Sequence, residues 1–231
     1  MIHLYTWATP NGEKLHILLE ELRIPYELHL LNITRGAQFE PDFLKISPNN
    51  KIPAIVDTEG PGNAPYNVFE SGAIMMYLAE KTGQFMPQDI AARYEVIQWL
   101  MFQMSSIGPM FGQYSHFTTY APEQFEYSVA RYTKECMRLY GVMDRQLAKT
   151  QYLAGNAYTI ADMATYAWTY SHERRGFDIS DHTNVLRWLK EIETRPAVQR
   201  GTTLTDAHRP TCKPDPETIR NYFGEIQFER R

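Results

Sequence analysis

The sequence predicts an α/β domain followed by an all-helical domain. In the first part of the chain, short β-rich segments alternate with helical patterns, whereas after Ile90 apolar residues recur almost throughout at spacings of three and four. The composition changes between Thr82 and Asp89, which we interpret as a linker. We therefore expect a first domain over residues 1–82, a helical domain over 90–205 and a C-terminal extension over 206–231.

The β-rich part begins with a βαβ unit. Residues 2–7 alternate in polarity and predict a first strand, and residues 9–12 (Thr-Pro-Asn-Gly) have turn chemistry. Apolar residues then recur at helical spacing, at Leu15, Leu18, Leu19 and Leu22. Residues 26–31 form the second predicted strand. A helix between two such strands favours a right-handed crossover.

Two further strands and a closing helix complete this part. A loosely helical stretch over 41–46 leads to predicted strands at 54–56 and 66–69, and residues 60–63 predict a hairpin loop between them. A helix is predicted over 70–81. The order βαβ-α-ββα is typical of a thioredoxin-like fold.

The second part is predicted to be helical throughout. Its apolar stripes form three patterns: Phe125, Val129, Tyr132, Cys136, Leu139, Met143 and Leu147; Ile160, Met163, Ala164, Ala167 and Trp168; and Val185, Trp188, Leu189 and Ile192. Gly112 predicts the end of a helix rich in methionine and aromatic residues. In the extension, Pro210, Pro214 and Pro216 interrupt regular structure, and residues 219–226 suit a short docking helix and a disordered end about equally.

Composition narrows the classes of function. Of 231 residues, 43% are hydrophobic and 22% are charged, and the net charge of −4 includes no basic block, which argues against binding to duplex nucleic acid. No apolar run approaches the ~20 residues that span a bilayer, and residues 2–22 are too polar for a signal peptide. Cys136 and Cys212 form no CxxC pair, so we expect reduced thiols in a cytoplasmic protein. The histidines include no His-x-x-x-His pair, and no metal is expected.

The most informative segment is Asn49–Val56, which is followed by a helix start at Glu70 and Ser71. Pro53 directly precedes a short apolar strand, and a proline at a strand entry leaves the backbone groups of Ile52 free to pair with an extended peptide. The unpaired N–H groups of a helix start attract a carboxylate. Together these segments predict a pocket for a small peptide with charged ends.

The turn after the first strand faces a ligand held at this proline. Dithiol oxidoreductases carry cysteine in such a turn, whereas here it holds Thr9, Pro10 and Asn11. If thiol chemistry occurs at this point, the ligand must therefore supply the thiol. Thr9 and Asn11 are candidate donors to a thiolate, and they are also suited to capping the helix. Tyr5 is a further candidate, for which packing within the strand is the favoured interpretation.

Other polar residues flank the predicted groove. Gln38 offers amide donors and Lys51 offers a positive charge for a carboxylate, and each is also explained as a solvated surface residue. Glu70 suits the ammonium group of a zwitterionic ligand and also fits a helix start. Arg131, on a predicted helix of the second part, would reach a ligand carboxylate if a cleft lies beside it, although solvent exposure is the default.

A second, less polar pocket is predicted from the residues after Gly112. Tyr114 and Phe117 either wall this pocket or pack between helices, and the sequence favours the two interpretations equally.

Taken together, these motifs resemble those of the glutathione transferase superfamily, and most closely its bacterial Nu class, disulfide-bond oxidoreductases that use glutathione. The matching stretches extend to about Leu204 and comprise residues 9–12, 36–39, 46–57, 69–74 and 108–113. The combination of S-P-N-N-K-I-P-A-I with F-E-S-G-A-I is more specific than either run alone. The extension from Asp206 departs from the pattern, because it is longer and rich in proline.

The resemblance implies a thioredoxin-like domain and an all-helical domain in a homodimer, with a cis peptide bond before Pro53. It also implies that Thr9 and Asn11 lie at the sulfur of a bound glutathione. The other implied glutathione contacts are Gln38, Lys51, Ile52, Pro53, Glu70 and Ser71, with Arg131 reaching across from the helical domain. Members of this class lack a catalytic cysteine and hold two glutathiones, or glutathione disulfide, in one site.

Three functions are consistent with this resemblance. The leading hypothesis is a glutathione-dependent disulfide reductase that uses no cysteine of its own. The alternatives are a transferase that conjugates glutathione to electrophiles and a non-enzymatic glutathione-binding regulator, because a fold does not determine a function.

Overall fold

A computed structural model describes residues 1–123, 125–209 and 214–229 of the chain. The predictions that concern Cys212 and Pro210 lie outside the described residues. The α/β thioredoxin-like architecture with an all-helical second part is confirmed. Within the described ranges, no helix combines the length and apolar character that a bilayer crossing requires.

A four-stranded mixed sheet forms the first part. Its strands are β1 (Ile2–Thr6), β2 (Tyr26–Leu30), β3 (Ala54–Asp57) and β4 (Tyr66–Phe69), in the spatial order β2-β1-β3-β4. β1 pairs with β2 in parallel, whereas the β1–β3 and β3–β4 pairs are antiparallel. The predicted strands therefore form within one residue of their expected ends, because each is a short β-rich run bounded by turn residues.

Ten α-helices are present in the described residues. They are α1 (Pro10–Leu22), α2 (Pro41–Leu44), α3 (Ser71–Thr82), α4 (Ile90–Phe102), α5 (Gly108–Ser115), α6 (Glu126–Leu147), α7 (Ile160–Thr169), α8 (Thr183–Glu193), α9 (Pro196–Thr203) and α10 (Pro216–Phe223). Two π-helical segments, Gln103–Ile107 and His116–Tyr120, precede and follow α5.

The prediction that a helix ends at Gly112 is wrong. α5 continues through this glycine to Ser115, and Gly112 keeps a helical conformation with negative φ. A side chain at this position would meet the Trp168 ring at 3.7 Å. The glycine therefore permits close packing of α5 against α7, whereas a helix-ending glycine uses its left-handed freedom.

Helix α1 lies at the centre of the fold and joins its two parts. It packs against α3 in the first part and against α7 and α9 in the second. Its residues Leu15, Ile17 and Leu18 have no exposed surface. A Cβ atom at Gly201 of α9 would come within 2.7 Å of the Ile17 backbone, so the two helices approach as closely as backbones allow. The site residues at the start of α1 are therefore carried on a firmly packed element.

The C-terminal extension folds back onto the rest of the molecule. Arg209 forms an ion pair with Glu13 of α1 at 2.8 Å, and Glu13 is 1% exposed. His208 packs on Trp7 with 4.9 Å between ring centroids. A short helix is present in this region as α10, which begins three residues before the predicted range 219–226 and ends at Phe223. Residues 214–229 are called the C-terminal segment below.

Candidate active site

A cavity of about 210 Å³ opens where the turn after β1 meets the loop before β3 and the end of α7. Its walls combine the predicted candidates with residues that were not predicted. The lining residues are Thr9, Pro10, Asn11, Ile33, Gln38, Asn50, Lys51, Ile52 and Trp168. The structure thus brings together Thr9, Asn11 and three of the predicted peptide-binding residues.

Thr9 caps α1 and still offers a donor to the cavity. Its side-chain oxygen accepts a hydrogen bond from the backbone N–H of Gly12 at 3.1 Å, and Pro10 occupies the first helical turn. A hydroxyl that accepts in this way keeps its own hydrogen. The capping and donor interpretations of Thr9 are therefore compatible.

The amide of Asn11 is oriented by an indole from the helical part. Trp168 Nε1 donates to Asn11 Oδ1 at 3.0 Å. Because an indole N–H can only donate, the oxygen of the amide must face Trp168, and the NH₂ group is left as a donor. Arg175 holds Trp168 in turn: it donates to the Trp168 carbonyl, and its guanidinium carbon lies 5.6 Å from the ring centroid.

The loop before β3 presents its backbone to the cavity. The Ile52–Pro53 peptide bond is cis, and the strand ladder begins only at Ala54, so the Ile52 backbone precedes the sheet. Ser47 donates to the carbonyl of Lys51 at 2.9 Å and holds the loop. Asn50 has a left-handed backbone with φ of 46°, and its Nδ2 is buried without a hydrogen-bond partner among the described residues. Asn50 is thus a candidate donor that the sequence did not single out.

A buried lysine lies beneath the start of α3. Lys14 is 1% exposed, and its ammonium donates to Ser71 Oγ at 3.2 Å and to Met104 Sδ at 3.3 Å. In the described part of the chain, no carboxylate lies within ion-pair distance of Lys14. Burial lowers the pKa of Lys14 to about 7, against a smaller opposing effect of the Glu70 charge. A buried ammonium with only a hydroxyl and a thioether as partners attracts an anion to Ser71.

Glu70 and Ser71 lie beside the cavity rather than in its wall. Glu70 is exposed and has φ of 70°, and Ser71 opens α3 at 4% exposure. The β3–β4 register pairs Ala54 with Phe69, so Glu70 and Pro53 flank the same end of this hairpin. The predicted carboxylate-binding helix start is therefore close to the Ile52 backbone.

Gln38 and Lys51 already have partners within the chain. Gln38 is 4% exposed, and its Nε2 donates to the backbone carbonyl of Asn221 at 3.1 Å. Lys51 Nζ donates to Gln227 Oε1 at 2.7 Å. The interpretation of Gln38 as a solvated surface residue is wrong, because the C-terminal segment covers it.

The remaining predicted residues do not converge on this cavity. Arg131 is exposed on α6 near Glu135, whose pKa is lowered mainly by a hydrogen bond from Arg138 and less by the charge of Arg131. Tyr114 donates to the Arg175 carbonyl at 2.6 Å and packs on Phe177. Phe117 lines a separate cavity of about 390 Å³ beside the start of α6, and its ring stacks on Tyr132.

Tyr5 packs as the sequence favoured. Its ring stacks on His29 with 4.6 Å between centroids and lies 6.1 Å from that of Phe43. It is not among the residues that line the cavity.

One group of side chains in the described residues has metal-ligand geometry. His3 Nδ1 lies 3.0 Å from His29 Nε2, and Glu27 lies 3.4 Å from both rings. The parallel β1–β2 register places these residues together, which a search for local histidine spacing misses. None of the three lines the cavity, and the two histidine rings are joined by a hydrogen bond.

Sequence reasoning also missed Lys14 and Trp168 as parts of this site. Trp168 was counted with the apolar stripe of α7, and Lys14 lies on α1 outside the apolar positions that predicted this helix. Lys14 gave no local signal, because it follows Glu13 in the first turns of α1, where charged residues are common. Trp168 gave no signal, because its partner Asn11 lies 157 residues away in the sequence.

The fold and the cavity define a protein of the glutathione transferase class. The family models described as the N-terminal and C-terminal domains of glutathione S-transferase match residues 1–80 and 98–196. The chain belongs to the glutathione S-transferase family.

Particular relatives are similar over most of their length. Disulfide-bond oxidoreductase YfcG of Escherichia coli (strain K12) is 44% identical over 198 residues, which span 85% of this chain and 92% of that protein. A glutathione transferase family member from Pseudomonas fluorescens pf-5, solved with two glutathione bound, is 48% identical with a TM-score of 0.82, covering 87% of this chain and 92% of that one. A glutathione transferase from Pseudomonas putida, solved with one glutathione disulfide bound per subunit, is 44% identical with a TM-score of 0.82, covering 88% of this chain and 91% of that one.

Proposed function

We propose that this protein is a glutathione-dependent disulfide reductase in which glutathione supplies both reacting thiols. The observation that carries the proposal is the composition of the cavity wall. It offers the hydroxyl of Thr9 and the amide of Asn11 as donors, and its lining residues include no cysteine. Cys136, the free cysteine of the described residues, is buried in α6, and burial raises the pKa of its thiol to about 12. The names of the relatives, a disulfide-bond oxidoreductase and glutathione-bound transferases, support the same reaction.

The proposed reaction has two exchange steps. A first glutathione loses its thiol proton to solvent, and hydrogen bonds from Thr9 and Asn11 stabilise the thiolate, whose free pKa is about 8.5. The thiolate attacks one sulfur of the substrate disulfide, so that a mixed disulfide forms and the other sulfur leaves as a thiolate. A second glutathione thiolate attacks the glutathione sulfur of the mixed disulfide and releases the second substrate thiolate. The products are glutathione disulfide and two thiols, after both leaving groups take up protons.

The rest of the proposed site binds the tripeptide. The backbone of Ile52, before cis-Pro53, pairs with the extended peptide, and Ser71 with the N–H groups of α3 binds a carboxylate above Lys14. Glu70 binds the ammonium group, while Gln38 and Lys51 bind a second carboxylate. Arg131 is left out of this set because α6 holds its side chain at the surface, beside Glu135.

Assembly and compartment complete the proposal. We propose that the protein is cytoplasmic, because glutathione keeps that compartment reducing. We also propose that it forms a homodimer. One face of α4 supports association: Ile90, Tyr94 and Met101 lie at helical spacing and are 70%, 55% and 42% exposed.

We also propose the domain limits 1–82 and 90–205, with an extension over 206–231.

The test compares a cysteine-free variant with the wild-type protein. Cys136→Ser combined with Cys212→Ser should retain reduction of a small dialkyl disulfide by glutathione, because no protein thiol takes part. Loss of turnover in a correctly folded double variant would contradict the proposal. Faster reaction with an aryl halide than with the disulfide would instead support conjugation, and binding without either reaction would support a regulator.

A further inference from the structure

The C-terminal segment is fastened to the loop after β2 by charged groups. Asp215 caps α10 by accepting from the backbone N–H of Thr218 at 2.7 Å. Arg35 forms ion pairs with Asp215, at 3.0 Å, and with Glu217. These groups are about half exposed, and exposed ion pairs contribute little to stability. The attachment is therefore specific in position but easily reversed.

Further along, the segment occupies the polar groups of the proposed binding site. The carbonyl of Asn221 accepts from Gln38, and the amide oxygen of Gln227 accepts from Lys51. Asn221 is 2% exposed, and its Nδ2 also donates to the Thr34 carbonyl at 2.8 Å. Two neutral oxygens of the chain thus lie where the proposed site would bind a ligand carboxylate.

The same segment also reaches the helical part. Phe223 packs on His116 with 4.5 Å between ring centroids and on Tyr120 with 5.2 Å. The segment therefore bridges the two parts of the molecule beside the cavity. The cavity measures about 210 Å³, below the roughly 300–1,000 Å³ of most ligand sites, and two residues of its wall, Gln38 and Lys51, contact the segment.

We propose that the C-terminal segment competes with glutathione for this site and must be displaced when the tripeptide binds. This inference rests on the proposed function. A carboxylate forms a stronger, charge-assisted hydrogen bond with Lys51 than the amide of Gln227 does, so glutathione can replace the segment. The apparent affinity equals the intrinsic affinity multiplied by the fraction of molecules in which the site is open, so the docked state lowers it. The C-terminal segment lies beyond residue 196, where the match to the family models ends.

Charge variants at the attachment point test the competition. Arg35→Glu and Glu217→Arg both replace attraction with repulsion, and neither residue lines the cavity. Each should bind glutathione disulfide about three- to tenfold more tightly by calorimetry, because the open fraction rises. The double variant restores one attractive pair and should return toward the wild-type affinity. Lys190→Glu, on α8 and exposed, is the control for an equivalent change of charge.

The single variants change the charge near the groove in opposite directions, so tighter binding by both identifies release of the segment. Unchanged binding in both, or tighter binding in Glu217→Arg alone, would overturn the proposal. Trypsin cleavage after Arg220 is a second measurement, which glutathione disulfide should accelerate if it displaces α10 and should slow if the segment closes over the ligand. If no variant, including wild type, binds glutathione or its disulfide, the proposed function fails instead.

Discussion

The two ends of the cavity are held by contacts of different kinds. At the Thr9 end, the donors stand on α1, which is packed into the core, and Trp168 orients Asn11 from a buried helix. At the Lys51 end, the polar groups are held by the C-terminal segment, through amide hydrogen bonds and surface ion pairs. We call the Thr9 end the reaction end, because its donors are preorganised. We call the Lys51 end the exchangeable end, because a ligand can replace the contacts that hold it. Preorganised donors act without reorganisation during the reaction, whereas exchangeable contacts control occupancy.

The largest expected effect follows from removing the donor at the reaction end. Asn11→Ala should lower kcat for disulfide reduction by about 100-fold, because loss of one preorganised donor to a developing or stabilised anion typically costs this much. Steady-state rates with glutathione and a small disulfide measure it. Asn50→Gly is the matched control, since it removes an amide from the same cavity and keeps the positive φ; we expect a change mainly in KM. Equal losses in both variants would show that the two ends do not differ.

The buried lysine should separate stability from binding. Lys14→Met removes a costly buried charge, so the free energy of unfolding at pH 7, measured by denaturant titration, should rise by roughly 1–4 kcal/mol. The KM for glutathione should rise about tenfold, because the charge no longer attracts a carboxylate to Ser71. The folded pKa of about 7 lies below the ordinary 10.5, so between these values the unfolded chain binds more protons and wild-type stability rises with pH. The advantage of the variant should therefore shrink from pH 7 to pH 10. An advantage that does not change between pH 7 and pH 10 would contradict the lowered pKa of Lys14 in the folded protein.

A smaller effect is expected from the residue that orients the reaction end. Trp168→Phe keeps a ring but removes the N–H that fixes the Asn11 amide, and kcat should fall about fivefold with little change in KM. Combination with Asn11→Ala should add almost nothing, because both changes remove the same oriented donor. Additive losses would show that Trp168 acts independently of Asn11.

The smallest effect is expected at the exchangeable end. Gln227→Ala removes one hydrogen bond to Lys51 and should tighten glutathione disulfide binding only about twofold, since exposed contacts contribute little. Calorimetry measures the change, and kcat should stay constant. Weaker binding would indicate that Gln227 helps to hold the ligand.

Local sequence patterns predicted most of the fold. The four strands and the closing helix of the first part were located to within about one residue, because side-chain alternation and turn chemistry act over only a few positions. The same local signals identified Thr9, Asn11 and the Lys51–Pro53 loop, all of which lie in or beside one cavity. The role of Gly112 was predicted wrongly, because this position lacks a side chain in order to pack closely against the Trp168 ring of α7, which no local pattern shows.

The sequence by itself determined the element order, the turn without cysteine and the loop that ends in Pro53, since each depends on neighbouring residues. Only the tertiary structure decided that Trp168 orients Asn11 and that Lys14 lies buried below Ser71. It also decided that Lys51 donates a hydrogen bond to Gln227. The last of these contacts joins residues 176 positions apart. Such pairs arise from how packed elements meet in space, and no local periodicity encodes them.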